Sequence, residues 1–132
     1  MNRDEILSTL RAFPYDPGEY WLVTGAAMVL YGMKEGTQDV DLGCSRLLAD
    51  RLEAEGVPFR LTDDGKRWFC YSGTIELFEG WQAGDCLSVG GYSVVSPSAL
   101  LQMKLSLGRE KDRADIEAIR AWLARRKGAE TP

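Results

Sequence analysis

The sequence of 132 residues contains no histidine. This absence excludes Ser-His-Asp and Cys-His catalysis, the histidine-dependent zinc proteases and deaminases, and every metal site that needs an imidazole ligand. Any chemistry that the chain performs must therefore use carboxylates, Lys, Arg, Tyr, hydroxyls or backbone amides.

Cysteine is scarce, and long apolar runs are lacking. The three cysteines, Cys44, Cys70 and Cys86, do not have the CxxC spacing of a thiolate zinc site. Their small, odd number favours reduced thiols over a disulfide framework. No stretch approaches the ~20 apolar residues that a membrane span requires, and the opening MNRDEILSTL has no apolar signal-peptide core. We expect a cytoplasmic protein with no membrane partner.

Length and composition are typical of one globular domain. With 45% apolar and 27% charged residues, we expect a single domain over 1–132. The net charge of −4 argues against non-specific coating of nucleic acid. Basic side chains are nevertheless enriched over 104–132, which leaves room for a phosphate-bearing small molecule or a structured RNA.

Apolar periodicity and turn residues predict an α+β domain with a mixed β-sheet flanked by helices and a helical pair at the C-terminus. The predicted helices cover 2–13, 25–32, 45–56, 97–108 and 111–127. The predicted strands cover 20–24, 39–43, 59–61, 67–71, 74–79 and one or two segments of 86–95.

Two carboxylates, Asp39 and Asp41, alternate with apolar residues in the second predicted strand. Alternate residues of a strand share a face, so these carboxylates are expected roughly 6.6 Å apart, opposite the buried Val40 and Leu42. Like charges held this close destabilise each other unless a cation lies between them. Carboxylate oxygens suit Mg²⁺ or Mn²⁺. The alternative for an isolated Asp-x-Asp is a solvated strand face.

Thr24-Gly25 connects the first predicted strand to a short helix. Backbone N–H groups at a helix N-terminus bind anions such as phosphate, although an ordinary strand-to-helix turn explains the same residues. A third carboxylate, Glu76, lies between apolar residues in the strand over 74–79. It completes a cluster with Asp39 and Asp41 if that strand is a neighbour. Glu79 is predicted to lie on the opposite face.

Val23-Thr24-Gly25, followed after a spacer by Asp39-Val40-Asp41-Leu42, resembles the signature of the DNA-polymerase-β-like nucleotidyltransferase superfamily. The run TGAAMVLYGMKEGTQDVDL is especially similar to small bacterial nucleotidyltransferase-like proteins related to abortive-infection toxins. Weaker similarity extends over 74–79 and 96–120. Thr24 replaces the first glycine of the usual pair, and Glu76 replaces the more usual Asp. Matching polar positions near the C-terminus are Lys104, Arg109, Lys111, Asp112 and Asp115.

The resemblance implies a nucleotidyltransferase-like fold and a metal-dependent transfer of a nucleoside monophosphate from a nucleoside triphosphate to an acceptor hydroxyl. It implies that Asp39, Asp41 and Glu76 are catalytic and hold Mg²⁺ or Mn²⁺. It also implies that nucleotide is bound by Thr24, Gly25, Lys104 and Arg109. The acceptor could be a small molecule, a protein or a tRNA. A toxin–antitoxin role, with an antitoxin or a second copy of the chain as partner, fits the same resemblance.

Two alternatives remain open. The first is a nucleotidyltransferase-fold protein that binds nucleotide without catalysis, which Thr24 motivates. The second is an interaction domain whose partner covers exposed aromatic side chains such as Trp68, Trp81 or Trp122. For Lys104 and Arg109, a solvated helix edge is the alternative to a triphosphate contact.

Overall fold

The computed structural model describes residues 1–81 and 85–130, with side chains up to residue 126. Within these residues the chain forms five α-helices and seven strands. The helices are α1 Arg3–Ala12, α2 Thr24–Tyr31, α3 Arg46–Ala54, α4 Pro97–Leu107 and α5 Arg113–Glu130. The strands are β1 Tyr20–Val23, β2 Val40–Cys44, β3 Phe59–Leu61, β4 Arg67–Cys70, β5 Ile75–Glu79, β6 Cys86–Val89 and β7 Tyr92–Val95.

Local sequence signals explain where several helices begin and end. Ser45 and Ser96 cap α3 and α4 by accepting hydrogen bonds from backbone N–H groups three residues later. Gly32 ends α2 in the left-handed conformation that glycine adopts without a steric penalty. The three boundaries lie within one residue of those predicted for the helices over 25–32, 45–56 and 97–108. None of the described helices combines the length and apolarity needed to cross a membrane.

The seven strands form one mixed sheet in the order β3-β4-β5-β2-β1-β7-β6. The predicted α+β class and mixed sheet are thus confirmed, and the strands predicted over 20–24, 39–43 and 74–79 are neighbours in it. β2 is antiparallel to β1 and parallel to β5. The end of β1 and the beginnings of β2 and β5 therefore lie together at one edge of the sheet.

Three strand boundaries differ from the sequence prediction at this edge. β5 begins at Ile75, one residue later than the strand predicted over 74–79. Asp39 immediately precedes β2 and is not part of it, because the first residue paired with β5 is Val40. Thr24 is already the first residue of α2, so the strand predicted over 20–24 ends at Val23. The last helix also starts later than predicted, because Glu110–Asp112 forms a separate 3₁₀ turn before α5.

The central strands bury one face in the core. On that face, the apolar side chains are fully or almost fully buried in register across the sheet: Leu22, Val40, Leu42, Phe69, Ile75 and Leu77. A slip of one residue would turn these side chains to the other face. Core burial therefore fixes the register, and with it the side chains that share the opposite face.

The opposite face carries two rows of side chains across β4, β5, β2 and β1. The first, the acidic row, places Cys70, Glu76, Asp41 and Val23 at successive paired positions. The second, the aromatic row, places Trp68, Phe78, Gly43 and Trp21 at paired positions two residues away. Twice the strand rise separates the rows by about 7 Å.

Gly43 lets Trp21 cross β2 within the aromatic row. The indole Nε1 of Trp21 donates a 2.7 Å hydrogen bond to the carbonyl oxygen of Trp81, beyond the end of β5. A Cβ atom on Gly43 would overlap the Trp21 indole and would lie 2.5 Å from the Trp81 oxygen. The glycine is therefore required for close approach, and the crossing indole fixes the backbone position of Trp81.

We expect Gly43→Ala to destabilise the protein by about 1–3 kcal/mol, because the added methyl group must displace either the indole or the carbonyl. The matched control is Gly73→Ala, where an added Cβ meets nothing within 4 Å. The free energy of unfolding from urea denaturation checks both variants. Equal stability of the two variants would contradict the crowding at Gly43.

Candidate functional site

A cleft of about 830 Å³ opens at the sheet edge where β1 ends and β2 begins. Its volume is within the range of small-molecule sites, which is roughly 300–1,000 Å³. Six of the seven predicted site residues line it: Thr24, Gly25, Asp39, Asp41, Lys104 and Arg109. The seventh, Glu76, is paired with Asp41 on the neighbouring strand and lies just outside the lining.

Asp41 is the most constrained of the carboxylates. Its Oδ2 accepts a 3.0 Å hydrogen bond from the hydroxyl of Thr24, whereas its Oδ1 is buried and has no partner among the described residues. Burial is the main cause that raises the pKa of Asp41, and the charge of Asp39 adds to it. The Thr24 hydrogen bond and the Lys104 ammonium oppose the rise. A carboxylate with an unpartnered buried oxygen destabilises the folded protein unless it binds a cation or a proton.

The pKa of Glu76 is affected by the same group of charges. Burial raises its pKa most, followed by the charges of Asp41 and Asp39. The Trp68 indole and the Cys70 thiol, whose sulfur lies 3.9 Å from Oε1, favour the charged form and lower the pKa. The three carboxylates predicted from the sequence therefore interact electrostatically at this edge.

The fit to a divalent cation rests on Asp39 and Asp41. Among the side chains described over 1–81 and 85–126, no three acidic or thiol groups are close enough to form a ready-made metal site. Mg²⁺ is commonly bound by one or two carboxylates together with substrate phosphates and water. The unpartnered Oδ1 of Asp41 and the adjacent Asp39 match that ligand set, whereas Glu76 would have to move to join them.

Thr24 has the only left-handed backbone among the described residues other than glycine, with a φ of 53°. This conformation is unfavourable for a β-branched residue and is readily adopted by glycine. In this strained conformation, the hydroxyl of Thr24 donates its hydrogen bond to Asp41. No side chain caps the N-terminus of α2, which begins at this residue, so its backbone N–H groups have no side-chain acceptor.

Gly25 allows the loop before β2 to approach the beginning of α2. A Cβ atom on Gly25 would lie 2.5 Å from the hydroxyl oxygen of Thr37. Thr37 is held in turn by backbone hydrogen bonds with Met1 in both directions. These contacts place the loop that carries Asp39 against the turn that carries Thr24.

Lys104 and Arg109 are already paired within the protein. The ammonium of Lys104 is 3.1 Å from Asp112 and 3.0 Å from Asp115, and the residue is only 5% exposed. Arg109 donates two hydrogen bonds, of 2.6 and 3.0 Å, to Asp112. Arg109 and Lys104 lower the pKa of Asp112 to about 2. Lys104 is thus a buried member of an ion-pair network and not part of a solvated helix edge.

Several cleft residues are not predicted by any pattern in the sequence. Lys34 reaches Asp115 at 3.2 Å and joins the ion-pair network from the loop after α2. An aromatic wall lines the cleft on the same side as the aromatic row, and it consists of Trp68, Phe78 and Trp81. The alternation of side chains along β4 and β5 could have placed Trp68 and Phe78 on one face of the sheet. Only the pairing of β4 with β5 and of β5 with β2 shows that Asp41 is on the same face.

Substitutions of Thr24 separate its backbone strain from its hydrogen bond. Thr24→Val keeps the β-branched shape and removes the hydroxyl, so we expect a loss of about 1–2 kcal/mol. Thr24→Gly also removes the hydroxyl but relieves strain of order 1–3 kcal/mol. The glycine variant should therefore be more stable than the valine variant in urea denaturation. A valine variant as stable as the natural protein would show that the hydrogen bond to Asp41 contributes nothing.

The raised pKa values of Asp41 and Glu76 predict a pH dependence. The folded protein binds protons at these carboxyls more tightly than the unfolded chain, so this contribution to stability falls as pH rises above about 4. Asp41→Asn combined with Glu76→Gln removes the fall. We expect the variant to gain stability over the natural protein progressively between pH 4 and pH 7.

The pH comparison is made by urea denaturation at each pH, with Asp63→Asn in the exposed β3–β4 turn as the control. The difference in unfolding free energy between the control and the natural protein should be the same at every pH from 4 to 7. A double variant that is less stable than the natural protein at pH 7 would contradict the unfavourable charge at the acidic row.

Comparison with known proteins assigns no family to the chain. No family model matches the sequence, and no curated protein matches it.

Proposed function

We propose that the chain has a nucleotidyltransferase-like fold and is a metal-dependent nucleotidyltransferase, which moves a nucleoside monophosphate from a nucleoside triphosphate to an acceptor hydroxyl. One observation carries the proposal. Asp41 has a buried, unpartnered oxygen beside Asp39 and Glu76, in a cleft that also contains the uncapped start of α2. Carboxylates for a cation and N–H groups for an anion thus line one cleft, which suits a metal–triphosphate complex.

Asp39 and Asp41 would hold Mg²⁺ or Mn²⁺, with Glu76 as the third carboxylate. When bound, the metal supplies positive charge to the phosphate oxygens and to the attacking oxygen. The neighbouring Thr24-Gly25 turn and the N-terminus of α2 would bind phosphate oxygens through backbone N–H groups. Lys104 and Arg109 would contact the triphosphate by exchanging part of their pairing with Asp112 for phosphate oxygens.

Glu76 is assigned as the group that accepts the proton. It is paired with Asp41 in the register of β2 and β5, beside the carboxylates that would hold the metal, and a positioned carboxylate can accept a proton during the reaction. The acceptor oxygen forms a bond to the α-phosphorus, and the bond from the α-phosphorus to the bridging oxygen breaks. The hydroxyl proton passes to Glu76, and pyrophosphate leaves with the electron pair of the broken bond.

A second candidate function is nucleotide binding without transfer. It is favoured by Thr24, whose side chain already occupies a hydrogen-bonding position on Asp41. It is also favoured by the ion pairs that already engage Lys104 and Arg109. For either function, a cytoplasmic toxin–antitoxin setting remains a proposal. The acceptor is proposed to be a small molecule, a protein or a tRNA. The protein partner is proposed to be an antitoxin or a second copy of the chain.

We expect Mg²⁺ together with ATP or another nucleoside triphosphate to raise the melting temperature, because the complex binds only the folded protein. Asp39→Asn combined with Asp41→Asn should abolish this shift. The same double variant should be at least as stable as the natural protein without ligand, because it removes repelling charges. Thermal denaturation with and without Mg²⁺ measures both effects.

The control is Asp4→Asn combined with Asp63→Asn, which changes the net charge equally at two exposed positions. It should retain the full metal-dependent shift. Transfer is measured separately, by the release of pyrophosphate and by label from an α-labelled triphosphate on small-molecule, protein or tRNA acceptors. Equal shifts for natural protein and cleft variant would refute the metal site, and a shift without transfer would favour the binding-only function.

A further inference from the structure

The wall of the cleft beside the acidic row is aromatic. Trp68 and Phe78 are paired on β4 and β5 and stack with ring centroids 5.3 Å apart and planes 23° from parallel. Trp81 follows the end of β5 and packs on Phe78 at 4.8 Å with planes 60° apart. All three side chains are half-buried and line the cleft. Large aromatic side chains that stay partly exposed in a polar cleft provide a surface for a planar apolar ligand.

This aromatic wall is held in a fixed position. Trp21 crosses over Gly43 to donate a hydrogen bond to the backbone oxygen of Trp81. Phe78 is fixed by its place in the paired part of β5. A rigid platform loses little conformational entropy when a ring stacks on it, so more of the stacking energy contributes to affinity.

The platform also lies at a useful distance from the carboxylates. Phe78 follows Glu76 by two residues on the same face, and Gly43 follows Asp41 in the same way. The aromatic and acidic rows are therefore about 7 Å apart. In a nucleoside triphosphate, one sugar ring spans the gap between the base and the first phosphate, which is a separation of this order.

We propose that the aromatic wall of Trp68, Phe78 and Trp81 binds the base of the nucleoside triphosphate by stacking, while its phosphates lie at the acidic row. This proposal rests on the proposed function, because it takes the carboxylates as the metal–phosphate end of the site. Trp81 is the residue chosen for the test, because it follows the end of β5 and its ring can be changed without altering a paired strand. Stacking does not distinguish bases strongly, so several nucleoside triphosphates should bind.

The test compares ATP with inorganic tripolyphosphate, which has the phosphates but no base. Both are titrated in Mg²⁺ by isothermal calorimetry against the natural protein, Trp81→Leu and Trp81→Phe. Base–aromatic stacking contributes about 1–3 kcal/mol, which corresponds to about fivefold to 150-fold in Kd. ATP should therefore bind the natural protein tighter than tripolyphosphate by that factor. Trp81→Leu should lose this advantage, and Trp81→Phe should keep most of it.

Tripolyphosphate binding should be the same in all three proteins, and the distant Phe59→Leu variant on β3 should behave as the natural protein does. If ATP and tripolyphosphate bind the natural protein equally, the platform is refuted while the metal–phosphate site stands. The same holds if Trp81→Leu weakens both ligands by one factor. If neither ligand binds in a Mg²⁺-dependent way, the proposed function and the base platform fail together.

Should Trp81→Leu fail to fold, Phe78→Leu provides the second variant, with Phe59→Leu as its matched control. Loss of the ATP advantage in Phe78→Leu, with tripolyphosphate affinity unchanged, supports the platform. An unchanged ATP advantage in that variant overturns the role assigned to the aromatic wall.

Discussion

The parallel pairing of β2 with β5 holds two carboxylates side by side against their own repulsion. Asp41 is opposite Glu76 in this register, and burial is the main cause of the raised pKa of both. The charge of Asp39 adds to the rise at Asp41, and the charges of Asp41 and Asp39 add to the rise at Glu76. The next pair along, Leu42 and Leu77, is completely buried on the other face. Each such side chain contributes about 1.5–3 kcal/mol by burial. The core therefore stabilises an arrangement that the carboxylates alone would oppose.

Charges on the far side of the cleft are balanced in a different way. Lys104 and Asp112 are almost completely buried, and each makes two ionic contacts, so neither charge is left without a partner. Breaking such a pair leaves a buried charge that costs several kcal/mol. The cleft thus joins a wall with surplus negative charge to a wall of satisfied ion pairs. Under the proposed function, a metal–nucleotide complex adds a cation to the first wall, and its phosphates lie between that cation and the second wall.

Local sequence signals predicted most of the individual elements and part of the site. Ser45 and Ser96 cap helices because a hydroxyl can accept from an N–H three residues away, whatever the rest of the chain does. The pairing of β3 with β4 agrees in the same way with Asp64-Gly65, a dipeptide typical of hairpin turns that lies between these two strands. Asp39 and Asp41 could be singled out for the same reason, since their spacing and apolar neighbours are contiguous in the chain.

The sequence by itself therefore determined the helices, the strands and the pair of aspartates, because these depend on contacts between residues close in the chain. Only the tertiary structure decided that Glu76 is beside Asp41, that Lys104 is buried between two carboxylates, and that the aromatic wall adjoins them. It also decided the left-handed backbone of Thr24. Strand register and close packing arise from the burial of many distant residues at once, and no local pattern encodes them.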